Sequence, residues 1–134
     1  MPNDILESVK DFNTITIFRH VFFYFVAIGS QFGLKYYLES AYPNKKIYCL
    51  GNDCPVSQRN NVHMDVVDDE VVASSLAIVL DTSNAARIDD DRYQLAKKSI
   101  RIDHHVQVET ICDEEWIDDK ASATCELLAL YLQE

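Results

Sequence analysis

Apolar positions along this chain recur at two spacings, and the two alternate. Ile5, Leu6, Val9 and Phe12 fall at helical spacing after Asn3, a residue suited to an N-cap, so a helix is expected first. Thr14-Ile15-Thr16-Ile17-Phe18 then alternates in part, as a strand does. After Ser30, the residues Phe32, Leu34, Tyr36, Tyr37 and Leu38 predict a second helix that stops before Pro43. Lys45-Lys46-Ile47-Tyr48-Cys49-Leu50 predicts a second strand stopped by Gly51, and residues 52–61 form a polar loop. Residues 65–75 mix two valine pairs with acids and fit either a short helix or an irregular connection. Then come a strand at Leu76-Ala77-Ile78-Val79-Leu80, a helix over 91–98 capped by Asp89 or Asp90, and a strand at Ser99-Ile100-Arg101-Ile102. A short strand around Trp116 and a closing helix over 121–132 complete the series. Strands alternating with helices imply an α/β fold in three layers, a largely parallel twisted sheet with helices on both faces.

One stretch fits neither period. Residues 21–28 combine aromatic and β-branched side chains with no charge and no proline. Even extended back to Ile15 the run is too short to span a bilayer, and it contains Arg19 and His20. It either prolongs the first strand or forms an apolar flap over the cleft. Gly29-Ser30, read as a turn into the following helix, favours the flap.

Length and charge narrow the partners. With 134 residues, 48% of them hydrophobic, the chain is expected to form one domain, residues 1–134, around one core. A net charge of −10 disfavours a broad grip on a polyanion, so long RNA or DNA is not an expected partner. A short nucleotide is still admissible in a cleft where bound cations supply the positive charge. Cys49, Cys54, Cys112 and Cys125 show no paired zinc-site spacing and are expected to be reduced thiols. Met1-Pro2-Asn3-Asp4 is acidic where a signal peptide is basic, so a cytoplasmic protein is expected, with no membrane partner.

Candidate chemistry gathers at strand ends. Asp103-His104-His105 follows the Ser99–Ile102 strand, Asp81-Thr82-Ser83-Asn84 follows the Leu76–Leu80 strand, and His20 follows the first strand ahead of Ala27-Ile28-Gly29-Ser30-Gln31. Carboxylate and imidazole suit manganese and similar divalent ions, and in open α/β sheets such groups collect at the carboxyl ends of strands. With Arg87-Ile88-Asp89-Asp90 and Trp116-Ile117-Asp118…Ala121-Ser122, these stretches resemble the DHH phosphoesterase family along nearly the whole chain. Within that family they are most similar to the bacterial oligoribonuclease and phosphoadenosine-phosphate (pAp) phosphatase group. The resemblance implies manganese-dependent hydrolysis of short oligoribonucleotides or pAp. It implies metal ligation by His20, Asp81 and His104, with Asp81 bridging and the two imidazoles serving different ions. It further implies that Arg87 and His105 meet the substrate phosphate, and that His105 and Asp103 are catalytic, Asp103 by orienting its neighbours.

Each of these residues also has a plainer reading. Arg87 can pair with nearby acids, His105 can be a turn residue, Asp118 and Ser122 fit a helix entry, and His63 fits a surface loop. The departures from the family pattern are larger. Its first motif reads His-x-x-x-Asp-x-Asp with both aspartates on metal, and here those places hold Tyr24 and Val26. Its later metal-binding aspartate, in a Gly-Ile-x-x-Asp-Thr motif, and its smaller substrate-binding domain are not found within residues 1–134. A two-metal centre needs anionic oxygens to bridge the ions and offset their charge. Two imidazoles and one carboxylate suit two ions poorly; rearranged, they make a single two-histidine, one-carboxylate site. Two expectations stay open: an impaired phosphoesterase domain, or a noncatalytic domain that binds a nucleotide weakly or pairs with another chain, a homodimer included.

Overall fold

The computed structural model describes residues 3–19, 24–51, 64–80, 88, 90–103 and 111–117. Five strands form one sheet: β1 (Thr14–Arg19), β2 (Lys46–Cys49), β3 (Leu76–Leu80), β4 (Lys98–Asp103) and β5 (Glu114–Ile117). Their order is β2-β1-β3-β4-β5 and every pairing is parallel. The parallel expectation therefore holds for all the described strands. All five β3 residues are buried, because the strand has neighbours on both sides and cover on both faces.

Alternation along the strands divides the core in two. Ile15, Ile17, Leu76, Ile78, Leu80, Ile100 and Ile102 point to one face and pack with Val9 of α1 (Asn3–Asp11) and with Leu34 and Leu38 of α2 (Tyr24–Ala41). Phe18, Ala77 and Val79 point to the other, where they meet Val72 of α3 (Asp69–Ala73), Ile88, Cys112 and Tyr93 of a 3-10 turn, Asp91–Leu95. Each fully buried Ile or Leu contributes roughly 1.5–3 kcal/mol relative to exposure, so these two clusters carry the fold. Lys45 ties the first helix to the sheet by donating to the carbonyls of Phe12 at 2.6 Å and Lys10 at 3.2 Å, where a cation complements the helix C-terminus.

The structure corrects several expectations. Residues 24–28 form neither a strand nor a flap: α2 begins at Tyr24 and runs for 18 residues. Gly29 and Ser30 lie inside that helix and are not a turn into it. Two interior glycines, Gly29 and Gly33, each cost about 1 kcal/mol relative to alanine. Burial of Ser30, Gln31, Leu34 and Leu38 offsets that loss. The helix over 91–98 is instead a 3-10 turn that ends at Leu95, because Lys98 already belongs to β4. Asp103 is the last residue of β4, at the strand end where the sequence places it. Residues 65–75, expected as a short helix or an irregular connection, contain both: 69–73 are helical and 65–68 are irregular. Asn3 is the first residue of α1, not its cap. The closing helix over 121–132 falls outside the described residues. Among the described residues no helix is long and apolar enough to cross a membrane.

Candidate active site

The sheet reverses its winding between β1 and β3. From β1 the chain crosses to β2 on one side, and β3, β4 and β5 then follow on the other. In open parallel sheets the crevice at such a switch point, outside the carboxyl ends of the strands, is where ligands bind. Register aligns those ends: Arg19 pairs with Leu80, Leu80 with Ile102, and Asp103 with Ile117. His20, Asp81 and His104 are the next residues in sequence after Arg19, Leu80 and Asp103. They lie outside the described residues, as do Arg87, His105, His63, Asp118 and Ser122. Of the expected site residues, Asp103 is placed: it is wholly buried at the end of β4.

Polar side chains of three kinds fix the frame around that edge. Gln31 of α2 is fully buried, and its Nε2 donates to the carbonyls of Ile17 at 2.8 Å and Leu50 at 2.9 Å, so one amide joins the helix to the ends of β1 and β2. Asp65 accepts from the Cys49 main-chain N–H at 2.8 Å and pairs with Lys35 of α2 at 3.0 Å. Gly51 follows with φ 140°, a backbone conformation that favours glycine. On the other half of the sheet Arg101, fully buried, forms an ion pair with Glu115 at 2.7 Å. Asp90 caps the 3-10 turn through Arg92 N–H at 3.0 Å and is gripped by the Arg92 guanidinium at 2.8 Å. Burial alone would raise the Asp90 carboxyl, but the hydrogen bonds and charge of Arg92 outweigh it and hold the group below its ordinary value.

Of these framing residues, the sequence points to Asp90 as a cap and Gly51 as a strand stop, and it does not single out Gln31, Asp65, Arg92, Arg101 or Glu115 as framing residues. Arg101 carried a signal, since a cation inside an apolar strand must be paired. Gln31 stands in a stretch matched to the family, but its main-chain partners are brought close only by the fold, and Glu115 becomes visible as the partner of Arg101 only once β4 and β5 are paired. The expected reduced state of the cysteines holds at two positions: Cys49 and Cys112 are free and buried. Burial pushes the Cys112 thiol up to about 12 and the Cys49 thiol higher still. Cys54 and Cys125 fall outside the described residues.

A profile described as "DHH family, N-terminal domain" matches residues 14–134. The chain belongs to the DHH family. It is 37% identical over 134 residues to the "Bifunctional oligoribonuclease and PAP phosphatase NrnA" of Bacillus subtilis, covering 99% of this chain and 42% of that protein. It is 39% identical over 124 residues to the probable protein of the same name from Streptococcus mutans, covering 92% and 40%. It is 38% identical over 125 residues to an uncharacterized protein of Mycoplasma genitalium, covering 91% and 39%. The chain thus spans about two-fifths of the length of these relatives. A crystal structure of an exopolyphosphatase-related protein from Bacteroides fragilis superposes with a TM-score of 0.77 at 24% identity, over 94% of this chain and 41% of that one, and supports the DHH-domain fold.

The donor set expected from the sequence is short of carboxylate for a pair of metal ions. Where the family places two aspartates, this DHH domain has Tyr24 and Val26, the first and third residues of α2. That leaves one expected carboxylate, Asp81, against the charge of two dications. Among the described residues no three His, Cys, Asp or Glu side chains come together.

Proposed function

We propose that this DHH domain derives from a phosphoesterase of the oligoribonuclease and pAp phosphatase kind and is inactive or strongly impaired as the chain stands. The observation that carries this is the start of α2 at Tyr24, with Tyr24 and Val26 in the helix where the family pattern has two carboxylates. In this reading His20, Asp81 and His104 are the surviving metal-facing residues, Asp81 alone supplying anionic charge. Manganese or a similar hard divalent ion is the metal these residue types suit, and its binding is weak. Arg87 and His105 face the phosphate of a short oligoribonucleotide or pAp, and Asp103 holds its neighbours in place from the end of β4. The parallel sheet, its switch point and the identity to the NrnA proteins support the substrate class. The missing carboxylates support the loss of turnover, and with it the second reading of a noncatalytic domain that binds a nucleotide or a partner chain, a second copy included. Free buried thiols at Cys49 and Cys112 fit a reducing cytoplasm.

The test is hydrolysis of short RNA and of pAp by the purified chain with manganese, beside Asp81→Ala. The expected outcome is no turnover above the Asp81→Ala background. Turnover that Asp81→Ala abolishes would overturn the impairment.

A further inference from the structure

We propose that a cleft at the amino edge of the sheet binds a nucleoside monophosphate, or a ligand of that chemistry, at a site separate from the DHH motifs. The cavity measures about 500 Å³, inside the range of roughly 300–1,000 Å³ common for small-ligand clefts, and is lined by Asp11, Phe12, Asn13, Thr14, Ser74 and Lys97. Asp11 closes α1, Thr14 opens β1, Ser74 follows α3 and Lys97 immediately precedes β4. The strands β1, β3 and β4 are five or six residues long, so at ~3.3 Å per residue the cleft stands roughly 15–20 Å from the carboxyl edge that His20, Asp81 and His104 follow. The inference does not depend on how those three residues are read.

Charge is sorted along the same edge. Lys10 lies in the last turn of α1, Lys46 and Lys98 are the first residues of β2 and β4, and Lys45 and Lys97 stand one place before them. Among the described residues the other lysine is Lys35. In a chain of net charge −10, the lysines are thus gathered on the edge that holds the cleft. Two of them are occupied: Lys45 by the Lys10 and Phe12 carbonyls, and Lys98 by Ser8 Oγ and Glu114, both at 2.8 Å. Lys97 is exposed and lines the cleft.

The lining holds the groups a nucleotide requires. Lys97 supplies a cation, and Asn13 and Thr14 supply neutral donors, for phosphate oxygens. Phe12 packs against the core and is half-buried, which leaves an apolar surface on which a base can rest. Asp11 and Ser74 are acceptors. Ser74 Oγ gives its hydrogen to the Val71 carbonyl at 3.0 Å and keeps its lone pairs, and Asp11 ends α1, where a carboxylate opposes the helix dipole and is not placed for stability. Ribose hydroxyls suit both. A bare phosphate would gain the cation but meet the repulsion of Asp11, so the fitting anion is one that comes attached to hydrogen-bond donors.

The test is amide NMR on the full chain in EDTA, with AMP, adenosine and inorganic phosphate as probes. AMP should shift the amides of residues 11–14, 74 and 97 with a Kd on the order of 1 mM. Lys97→Ala, at an exposed position where substitution is well tolerated, should weaken AMP binding roughly tenfold or more, and Lys97→Arg should restore it. Adenosine and phosphate should each bind at least about tenfold more weakly than AMP. The AMP shifts should persist in Asp81→Ala; their loss there would place AMP at the carboxyl edge and overturn the second site. Absence of shifts at 11–14 and 97, an unchanged affinity in Lys97→Ala, or phosphate binding as well as AMP would overturn it too. The measurement needs neither manganese nor turnover, so its failure leaves the phosphoesterase reading intact.

Discussion

Gln31 donates through its side-chain amide to the main-chain carbonyl of Ile17 at 2.8 Å, and that carbonyl also receives the Leu50 N–H at 3.0 Å. The second amide hydrogen reaches the Leu50 carbonyl at 2.9 Å, so helix α2 is bolted to β1 two residues before Arg19. Gln31→Leu removes both bonds and leaves the Leu50 carbonyl buried without this donor. A buried group left unsatisfied costs about 1–3 kcal/mol, so the urea midpoint should fall by that equivalent with an unchanged slope. A variant as stable as the parent would show that the amide contributes nothing.

Acid should weaken the fold in part through Asp90. Its pKa is held below the usual carboxylate value by Arg92, so the folded state binds this proton more weakly than the unfolded chain does. The resulting stability is fully present above the unfolded value, near 3.9, and is lost as pH falls from there through the folded pKa. Asp90→Asn removes the contribution, so its stability should drop less steeply than the parent's on acidification, with the two curves separating most at neutral pH. Parallel denaturation curves at all pH values would show that Arg92 is not the partner that matters.

The thiols give a structural test. Cys49 is buried with its S–H directed to the Gln31 carbonyl at 3.5 Å, and Cys112 is buried with its pKa pushed up to about 12. The thiolate is the reactive form, so neither should be alkylated by iodoacetamide at pH 8 while the domain is folded. Peptide mass analysis should find both modified only after urea is added. Rapid native labelling of Cys49 would mean that the α2–β2 contact opens.

Much of the architecture was legible because period is a strong signal in buried elements. Thr14–Arg19, Leu76–Leu80 and Lys98–Asp103 stand out as short apolar runs bounded by polar residues, and the parallel sheet follows from their alternation with helices. Residues 24–28 were misread for a physical reason. A run of aromatic and β-branched residues has no helical polarity of its own, and α2 buries enough of its length to override both propensity and two glycines. The 3-10 turn Asp91–Leu95 is shorter than the helix expected over 91–98. Only the structure shows that the chain must be extended again by Lys98 to pair with Leu76. Candidate ligands at the strand ends are visible as types and spacing, and of them Asp103 lies among the described residues, buried at the end of β4. The contacts of Gln31 and Glu115 were not visible, since main-chain partners and a cross-strand ion pair depend on pairings that the sequence does not display.

Restoring the carboxylates tests the electrostatic core of the functional reading. Tyr24 and Val26 lie in the first turn of α2, which has no acidic residue there. Aspartates at that end are favourable to the helix dipole by about 0.3–1 kcal/mol each, so Tyr24→Asp/Val26→Asp should fold. Manganese stabilises the folded chain by mass action, by about 2.7 kcal/mol when its concentration is a hundredfold above Kd. The parent should therefore show little change in Tm at millimolar manganese, and the double variant a rise of several degrees, on the order of 3–5 °C per kcal/mol. Adding Asp81→Ala to the double variant should cancel the rise, because the proposed function makes Asp81 a metal-facing carboxylate. A large manganese shift in the parent, or none in the restored variant, would mean that the charge at these two positions does not govern metal binding.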